Sequence, residues 1–298
     1  MTLDQLRIFV EVAERQHLTQ AAKALFLTPS AVSAAVKALE DRYDIALFHR
    51  VGRRIELSGA GRIFLDEAKR TLASVRTLDA TLAELGGLGR GRLNIHASQT
   101  ISSYWLPPLL VRFRQAYPAI ELKMDIGNTE QVSQAVLLGT ADLGFVEGGI
   151  GDTALAVEPV GDDKMVVVVS PDHAWADGRL LMADDLVKAQ WILREAGSGT
   201  RSVFEDSLAT LGIEPATLGV ALDLPSNEAV RSAVMAGPFA TAMSELVVTA
   251  AVRAGLLAVA NIALPTRHFA MLRHPARHRS RAVAAFEELA RAYATPAR

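Results

Sequence analysis

The sequence predicts an α/β protein with three parts: an N-terminal winged helix-turn-helix, a long linker helix, and a body of two Rossmann-like lobes. Two short helical patterns flank the Leu27-Thr28-Pro29 break, helical spacing runs through residues 59–85, and strands alternate with helices from Arg92 onward. A chain of 298 residues has room for two or three domains. We place the parts at residues 1–58, 59–91 and 92–298, with lobe I at about 92–161 plus 267–298 and lobe II at about 162–266.

The composition predicts a globular, cytoplasmic protein. Hydrophobic residues make up 50% of the chain and charged residues 21%, which is ordinary for folded domains. The chain has no run of 18 apolar residues, and its N-terminal segment carries Asp4 and Glu11 where a signal peptide needs a basic end and an apolar stretch. We therefore expect no membrane partner. The lack of cysteine excludes disulfides, thiolate catalysis and cysteine zinc sites.

Charge is distributed unevenly along the chain. The net charge of −2 excludes a globally basic nucleic-acid binder. Residues 1–90, however, carry 13 Lys and Arg against 11 Asp and Glu, whereas the remainder carries 18 against 22. A slightly basic N-terminal module is compatible with DNA binding, because affinity depends on the few cations that meet phosphates.

Three helices are predicted at the N-terminus. Apolar residues recur at helical spacing from Leu3 to Ala13. Thr19 is the expected N-cap of a second helix, Gln20–Leu25. Thr28 is the expected N-cap of the third, because a proline fits the first turn, where its missing N–H costs nothing.

The third predicted helix, which extends to about residue 43, has two distinct faces. Val32 and Val36 face inward. Ser30, Ser33 and Lys37 are three and four residues apart, so they share the outward face and can enter one DNA major groove together. Two helices joined by a tight turn are typical of a DNA-reading motif.

A short hairpin is predicted next, with Ile55-Glu56-Leu57 as its second strand. Its arginines can reach adjacent phosphates. The alternative is a small helical domain that binds protein and carries solvated arginines; the order of helices, break, wing and long helix favours DNA. The residues expected to contact DNA are Thr19, Gln20, Thr28, Pro29, Ser30, Ser33, Lys37, Arg50, Arg53 and Arg54.

A long helix, Gly59–Leu85, is predicted after a Ser58 cap. Leu65, Ala68, Leu72, Val75 and Leu82 fall on the a and d positions of a heptad pattern, which favours a dimerisation helix. The alternative is a single helix that packs on its own domain. Four glycines within residues 86–91 then predict a hinge.

Alternating strands and helices in the body predict parallel sheets with crossover helices and a ligand cleft at the carboxyl ends of the strands. The predicted strands are Leu93–Ala97, Ile120–Ile126, Leu143–Val146, Met165–Ser170, Gln190–Arg194, Val220–Asp223 and Phe239–Met243. The predicted helices are Tyr104–Tyr117, Thr129–Leu138, Thr200–Leu211, Glu228–Ala236 and Ser244–Ala254.

Several segments resemble the LysR-type transcriptional regulators over essentially the whole chain. LRIFVEVAE, LTQAAKALFLTPSAVSAAVKALE and LFHRVGRRIELSGAG are similar to the DNA-binding module of that family, and YPAIELKMDIGNTEQV, GTADLGFVEG, REAGSGTR and SNEAVRSAVMAG to its effector domain. The resemblance implies a winged helix-turn-helix, a linker helix, a periplasmic-binding-protein-like effector domain and a homotetramer. Ala34 departs from the long polar side chain that many members use to reach bases, and Gly237-Pro238-Phe239 departs from the usual Gly-x-Gly turn.

The expected effector site lies at strand ends and helix starts, where hydroxyls and free backbone N–H groups can bind an anion. For each residue alone, an ordinary cap or turn role is the alternative. REAGSGTR resembles the branch that regulates carbon dioxide fixation and sulfur assimilation, which favours a small carboxylate, sulfite-like oxyanion or sugar phosphate. The candidate effector residues are Ser98, Thr100, Thr129, Glu147, Arg194, Ser198, Thr200, Arg201, Asn227 and Thr241.

Other functions find weaker support in the sequence. A solute-binding protein would carry a signal peptide and no DNA module. Ala196-Gly197-Ser198-Gly199 lacks the glycine that a nucleophile elbow needs two residues before its serine, so we expect no catalytic residues. His274 and His278 are spaced like metal ligands, but Pro275 interrupts any helix there and no carboxylate accompanies them, so no metal or cofactor is expected. The expected partners are double-stranded DNA, a small anionic metabolite, further copies of the chain through the linker helix, and RNA polymerase.

Overall fold

The computed structural model describes residues 1–51, 54–85, 91–151 and 154–294. It divides into two compact units. The N-terminal unit holds the helix-turn-helix, the hairpin and the long helix. Its elements are α1 (Leu3–Arg15), α2 (Leu18–Ala24), α3 (Pro29–Tyr43), β1 (Phe48–Val51), β2 (Arg54–Leu57) and α4 (Gly59–Leu85).

The ends of the first helices follow local capping chemistry, with one departure from the prediction. Thr28 Oγ1 accepts a hydrogen bond from Ala31 N at 3.2 Å, which confirms Thr28 as the cap of α3. Thr19 is not an N-cap, because α2 begins at Leu18 after an extended His17. The earlier start places Leu18 three residues before the buried Ala21, so both pack in the same small core.

The first half of α4 packs on its own unit. Ala68 is 1% exposed and contacts the core that α1 and α3 build around Phe9. Farther along, Leu78 and Leu82 are 63% and 66% exposed. The beginning of the predicted heptad stripe is therefore covered by α1, whereas nothing within this unit covers its described end.

The C-terminal unit contains a π-helical turn at Ile101–Trp105 and a mixed set of strands and helices. Its strands are β3 (Gly91–Ser98), β4 (Ile120–Gly127), β5 (Leu143–Glu147), β6 (Ala156–Val169), β7 (Gln190–Arg194), β8 (Gly219–Leu224), β9 (Ala240–Ser244), β10 (Ala258–Val259) and β11 (Thr266–Arg273). Its helices are α5 (Leu106–Ala116), α6 (Thr129–Leu138), α7 (Ala183–Lys188), α8 (Gly199–Thr210), α9 (Asn227–Met235), α10 (Glu245–Arg253) and α11 (Arg281–Ala294).

Within the described residues, the strands form one nine-stranded sheet in the order β4-β3-β5-β11-β6-β9-β7-β8, with β10 paired to β6. The outer pairs are parallel, as predicted. The prediction of purely parallel sheets is wrong at the centre, where β11 runs antiparallel to β5 and β6, and β6 antiparallel to β9. Charged residues at 162–164 and 267 interrupt the apolar pattern there and conceal how far these strands extend.

The strand β6 joins two lobes. Residues 156–164 pair with β11, and residues 165–169 pair with β9. On either side of this junction lie separate apolar cores, one around Phe145 and Phe286 and the other around Trp191 and Phe204. The sheet therefore supports both lobes and brings their strand ends together. Among the described residues, no single helix is long and apolar enough to cross a membrane, although α2 and α3 pass that test as a pair bent by 108°.

Candidate functional site

The outward face of α3 presents small and basic side chains to solvent. Ser30 and Lys37 are exposed and Ser33 is half-buried, while Val32 and Val36 on the opposite face are buried. Thr28 Oγ1 lies 3.0 Å from Ser30 Oγ, so the two hydroxyls at the start of α3 form one polar patch. The face has the shape and chemistry that major-groove contacts require.

Other predicted DNA-contacting residues surround this face. Thr19 and Gln20 are exposed in the first turn of α2, and Pro29 is exposed in the first turn of α3. Arg50 lies on β1 opposite Ile55 and is exposed, as a phosphate contact must be. Arg53 and the side chain of Arg54 lie outside the described residues. So do residues 86–90 of the hinge predicted at residues 86–91, whereas Gly91 begins β3.

In the C-terminal unit, lobe I directs three polar residues to one point. Ser98 ends β3, Glu147 ends β5, and Thr129 begins α6; the three side chains are 8% exposed or less. Ser98 Oγ donates a hydrogen bond to Glu147 Oε2, and Thr129 Oγ1 donates to the carbonyl of Glu147 at 2.8 Å. Parallel strands bring these ends to the same edge of the sheet.

Lobe II meets this point through the start of α8. Thr200 Oγ1 lies 3.5 Å from Glu147 Oε1, a long hydrogen bond that joins the lobes. Ser198, the N-cap of α8, is 3% exposed beside it. A Cβ at Gly199 would lie 1.9 Å from the carbonyl oxygen of Glu147, so only glycine allows this approach.

A second set of contacts joins the lobes through Asn227, the first residue of α9. Its Nδ2 donates to Thr100 Oγ1 at 3.2 Å, and its Oδ1 accepts from Arg194 Nη1 at 2.7 Å. Arg194 is 3% exposed and also forms a bidentate pair with Glu195 at 2.8 and 2.9 Å. Burial alone would raise the pKa of Glu195, but the hydrogen bonds from Arg194 hold that pKa below its usual value. Gln99 also bonds across the lobes, to Asn227 N and the carbonyl of Pro225, each at 2.9 Å.

A buried ion pair that is absent from the predicted set completes the cluster. Arg267 on β11 donates from Nε to Asp163 Oδ2 on β6 at 2.7 Å, and from Nη1 to Thr200 Oγ1 at 3.1 Å. Ser244 donates to the other oxygen of Asp163 at 2.7 Å. The signal in the sequence is that Asp163 and Arg267 each stand close to a run of apolar residues in their strands. We call Ser98, Glu147, Asp163, Thr200 and Arg267 the interlobe cluster.

Two predicted effector residues lie outside this hydrogen-bonded set. The guanidinium group of Arg201 bonds to Glu205 at 2.7 Å, Asp223 at 2.6 Å and the carbonyl of Arg194 at 3.1 Å, so its charge is already neutralised. Thr241 is buried within β9, opposite Val168. The other eight predicted residues lie at or beside the contacts described above, and Arg267 adds a buried cation from outside the predicted set.

A metal site in the described part of the chain would require a set of donor side chains. No group of three or more His, Asp or Glu side chains there could hold a metal ion. His268 Nδ1 lies 2.6 Å from Asp162 Oδ1, and both side chains are exposed. His268 and Asp162 therefore contact each other at the surface.

Comparison with known proteins identifies a family for both units of the chain. Residues 3–62 match the model of the bacterial regulatory helix-turn-helix protein, lysR family, and residues 86–295 match the LysR substrate binding domain. The HTH-type transcriptional regulator YeiE of Escherichia coli K12 is 34% identical over 96% of each chain. Full-length CbnR, solved with its target DNA, superposes with a TM-score of 0.70 at 23% identity, covering 99% of this chain and 100% of that one.

The C-terminal unit also has solved relatives. The regulatory domain of CcmR from Synechocystis PCC6803, solved in complex with 2-PG, superposes with a TM-score of 0.63 at 25% identity. It covers 70% of this chain and 99% of that one. The two family models together match most of the residues, and the alignment with YeiE covers nearly the full length. The chain belongs to the LysR family of transcriptional regulators.

Proposed function

We propose that this protein is a sequence-specific transcription factor whose DNA binding responds to a small anion held between the lobes of its C-terminal unit. The observation that supports the proposal best is the interlobe cluster, where buried hydroxyls of both lobes converge on Glu147. A ligand inserted there changes contacts on both lobes at once, and so it can shift an equilibrium between lobe arrangements.

DNA recognition is proposed for the outward face of α3 and the exposed Arg50. Small side chains such as Ser30 and Ala34 allow close approach to base edges, and the two cations Lys37 and Arg50 meet phosphates. Because DNA is the proposed target, we propose that the protein acts in the cytoplasm. RNA polymerase is a further proposed partner.

The test of the DNA contacts is the salt dependence of binding to a promoter fragment. In Arg50→Ala, affinity should fall on all sequences and the slope of log K against log salt should flatten by about one unit. Arg179→Ala, which removes an exposed arginine of the C-terminal unit, is the matched control. If Arg50→Ala leaves the affinity and the salt slope unchanged, the hairpin does not contact DNA through Arg50.

The effector is proposed to bind across Ser98, Thr100, Ser198 and Thr200. Hydroxyls and the N-terminus of α8 suit an anion. The related CcmR domain was solved with 2-PG, which supports a small anion for this cleft. Thermal unfolding of the full chain with small carboxylates and oxyanions tests the site. Stabilisation seen in the wild type should be lost in Ser198→Ala and kept in Thr249→Ala, a surface hydroxyl of α10; equal shifts in all three proteins would refute the site.

Self-association is proposed through α4, with a homodimer as the unit and a homotetramer as the full assembly. Leu78 and Leu82 lie exposed on the described end of that helix, where a second copy would bury them. Sedimentation velocity tests this: Leu78→Lys with Leu82→Lys should dissociate the dimer, and a variant that sediments like the wild type would exclude this stripe as the interface.

A further inference from the structure

Glu147 places a carboxyl group at the position proposed for the effector. Its side chain is 2% exposed. Ser98 Oγ donates to one carboxylate oxygen, and Thr200 Oγ1 lies 3.5 Å from the other. Hydroxyls of both lobes are therefore already engaged by an internal carboxylate, and any anion that enters must bind beside it.

Arg267 provides the complementary charge and has one donor group left over. Nη1 and Nε are engaged by Thr200 and Asp163. Nη2 lies 2.7 Å from Asp163 Oδ2 but outside hydrogen-bonding geometry, and it is the one buried side-chain polar atom of the described residues without a hydrogen-bond partner. Because buried donors nearly always find acceptors in folded proteins, this N–H marks a position for an acceptor atom of a ligand.

Thr200 connects the two charges. Its hydroxyl accepts from Arg267 at 3.1 Å and donates toward Glu147 at 3.5 Å, so a cation and an anion act on one hydroxyl group. Arg267 also lines a groove of about 500 Å³ with Gly148, Val203 and Thr266, and Gly148 directly follows Glu147 in the chain. The site thus offers a donor at Arg267 and a strong acceptor at Glu147.

We propose, on the basis of the proposed function above, that the cleft selects anions that carry an O–H group next to their negative charge. Monoprotonated oxyanions and hydroxy acids belong to this class. The negative oxygen accepts from Arg267 Nη2, and the O–H donates to Glu147. A fully deprotonated oxyanion instead brings a charged oxygen against the buried carboxylate, where like charges repel strongly and no hydrogen bond forms. Glu147 is then the residue that determines specificity.

Inorganic phosphate and sulfate test this proposal directly. The two tetrahedral anions are similar in size, but near neutral pH phosphate keeps a proton and sulfate has none. Glycolate and acetate form a second pair that differs by one hydroxyl. By isothermal titration of the full chain, the wild type should bind phosphate at least about tenfold more tightly than sulfate, and glycolate more tightly than acetate.

Glu147→Gln should abolish these preferences, because an amide can donate to a deprotonated oxyanion and carries no charge. Glu158→Gln, which removes an exposed carboxylate of lobe I, should keep them. Equal binding of phosphate and sulfate by the wild type would overturn the proposal, as would a preference that persists in Glu147→Gln. If Glu147→Gln fails to fold, the comparison of phosphate with sulfate in the wild type is sufficient to test the proposal.

Failure of the inference can be separated from failure of the proposed function. If anions bind without discrimination and Ser198→Ala abolishes binding, the anionic effector stands and only the role of Glu147 is refuted. If none of the four probes binds the wild type, the proposed anion site and the inference fail together.

Discussion

The outward face of α3 and the interlobe cluster use polar side chains in opposite ways. On α3, Ser30 and Lys37 are exposed to solvent, where a partner can reach their polar groups. In the cluster, Glu147, Thr200 and Arg267 are 4% exposed or less, and the hydroxyl of Thr200 bonds to both of the others. The first surface is ready to bind a macromolecule, whereas the second must exchange internal bonds for ligand bonds.

This difference suggests how the two sites respond to change. Removing an exposed polar side chain that caps no helix takes away contacts to a partner and leaves the fold intact, so stability changes stay within about 0.5 kcal/mol. Removing a buried member leaves its partners desolvated and unpaired, which costs stability as well as binding. The next three predictions use this contrast.

The largest effect is expected at the buried ion pair. Asp163→Ala leaves Arg267 as an unpaired buried charge, so the free energy of unfolding should fall by about 3–5 kcal/mol. Urea denaturation measures it. Asp185→Ala, which breaks an ion pair at the surface with Arg179, is the control and should change stability much less. If both variants lose the same stability, burial does not distinguish the two kinds of site.

A smaller effect is expected at the start of α3. Thr28→Ala removes the side-chain cap that accepts from Ala31 N and should lower the free energy of unfolding by about 1 kcal/mol. Thr19→Ala is the matched control, because α2 begins before Thr19 and its stability should not depend on a cap there. Thermal unfolding of the two variants checks the assignment; a larger loss in Thr19→Ala would contradict it.

The smallest effect is expected in the pH dependence of stability. Burial on β3 lowers the pKa of His96 below 6.5, so the unfolded chain binds a proton more readily than the folded one. His96 thus contributes full stability above the unfolded pKa and loses it as the pH falls below about 6.5. Denaturation between pH 7.5 and pH 5.5 should show a steeper loss for the wild type than for His96→Asn. Parallel profiles would contradict the assigned cause.

The same contrast explains what could be predicted from sequence. The helix-turn-helix is local: Val32 and Val36 reveal the buried face of α3 by spacing alone, and Thr28-Pro29 marks its start. The predicted ends of Gln190–Arg194 and Thr129–Leu138 are confirmed for the same reason. Thr19 shows the limit, because the packing of Leu18 decides where α2 begins.

The cluster depends on contacts between distant parts of the chain. Arg267 and Asp163 are 104 residues apart, and Asn227 and Thr100 are 127 apart. Strand ends and helix starts could be found from hydroxyl residues, which is why Ser98, Thr129 and Thr200 are in the predicted set. No local pattern indicates that β11 returns between β5 and β6, so neither the antiparallel centre nor the role of Arg267 could be predicted.

A crystal structure of the full chain grown with phosphate tests the central claim most directly. The account predicts one anion between the lobes, within hydrogen-bonding distance of Ser198 or Thr200 and of Arg267 Nη2, with the O–H group of the phosphate donating to Glu147. Phosphate bound elsewhere, with the contacts among Ser98, Glu147 and Thr200 unchanged, would contradict it.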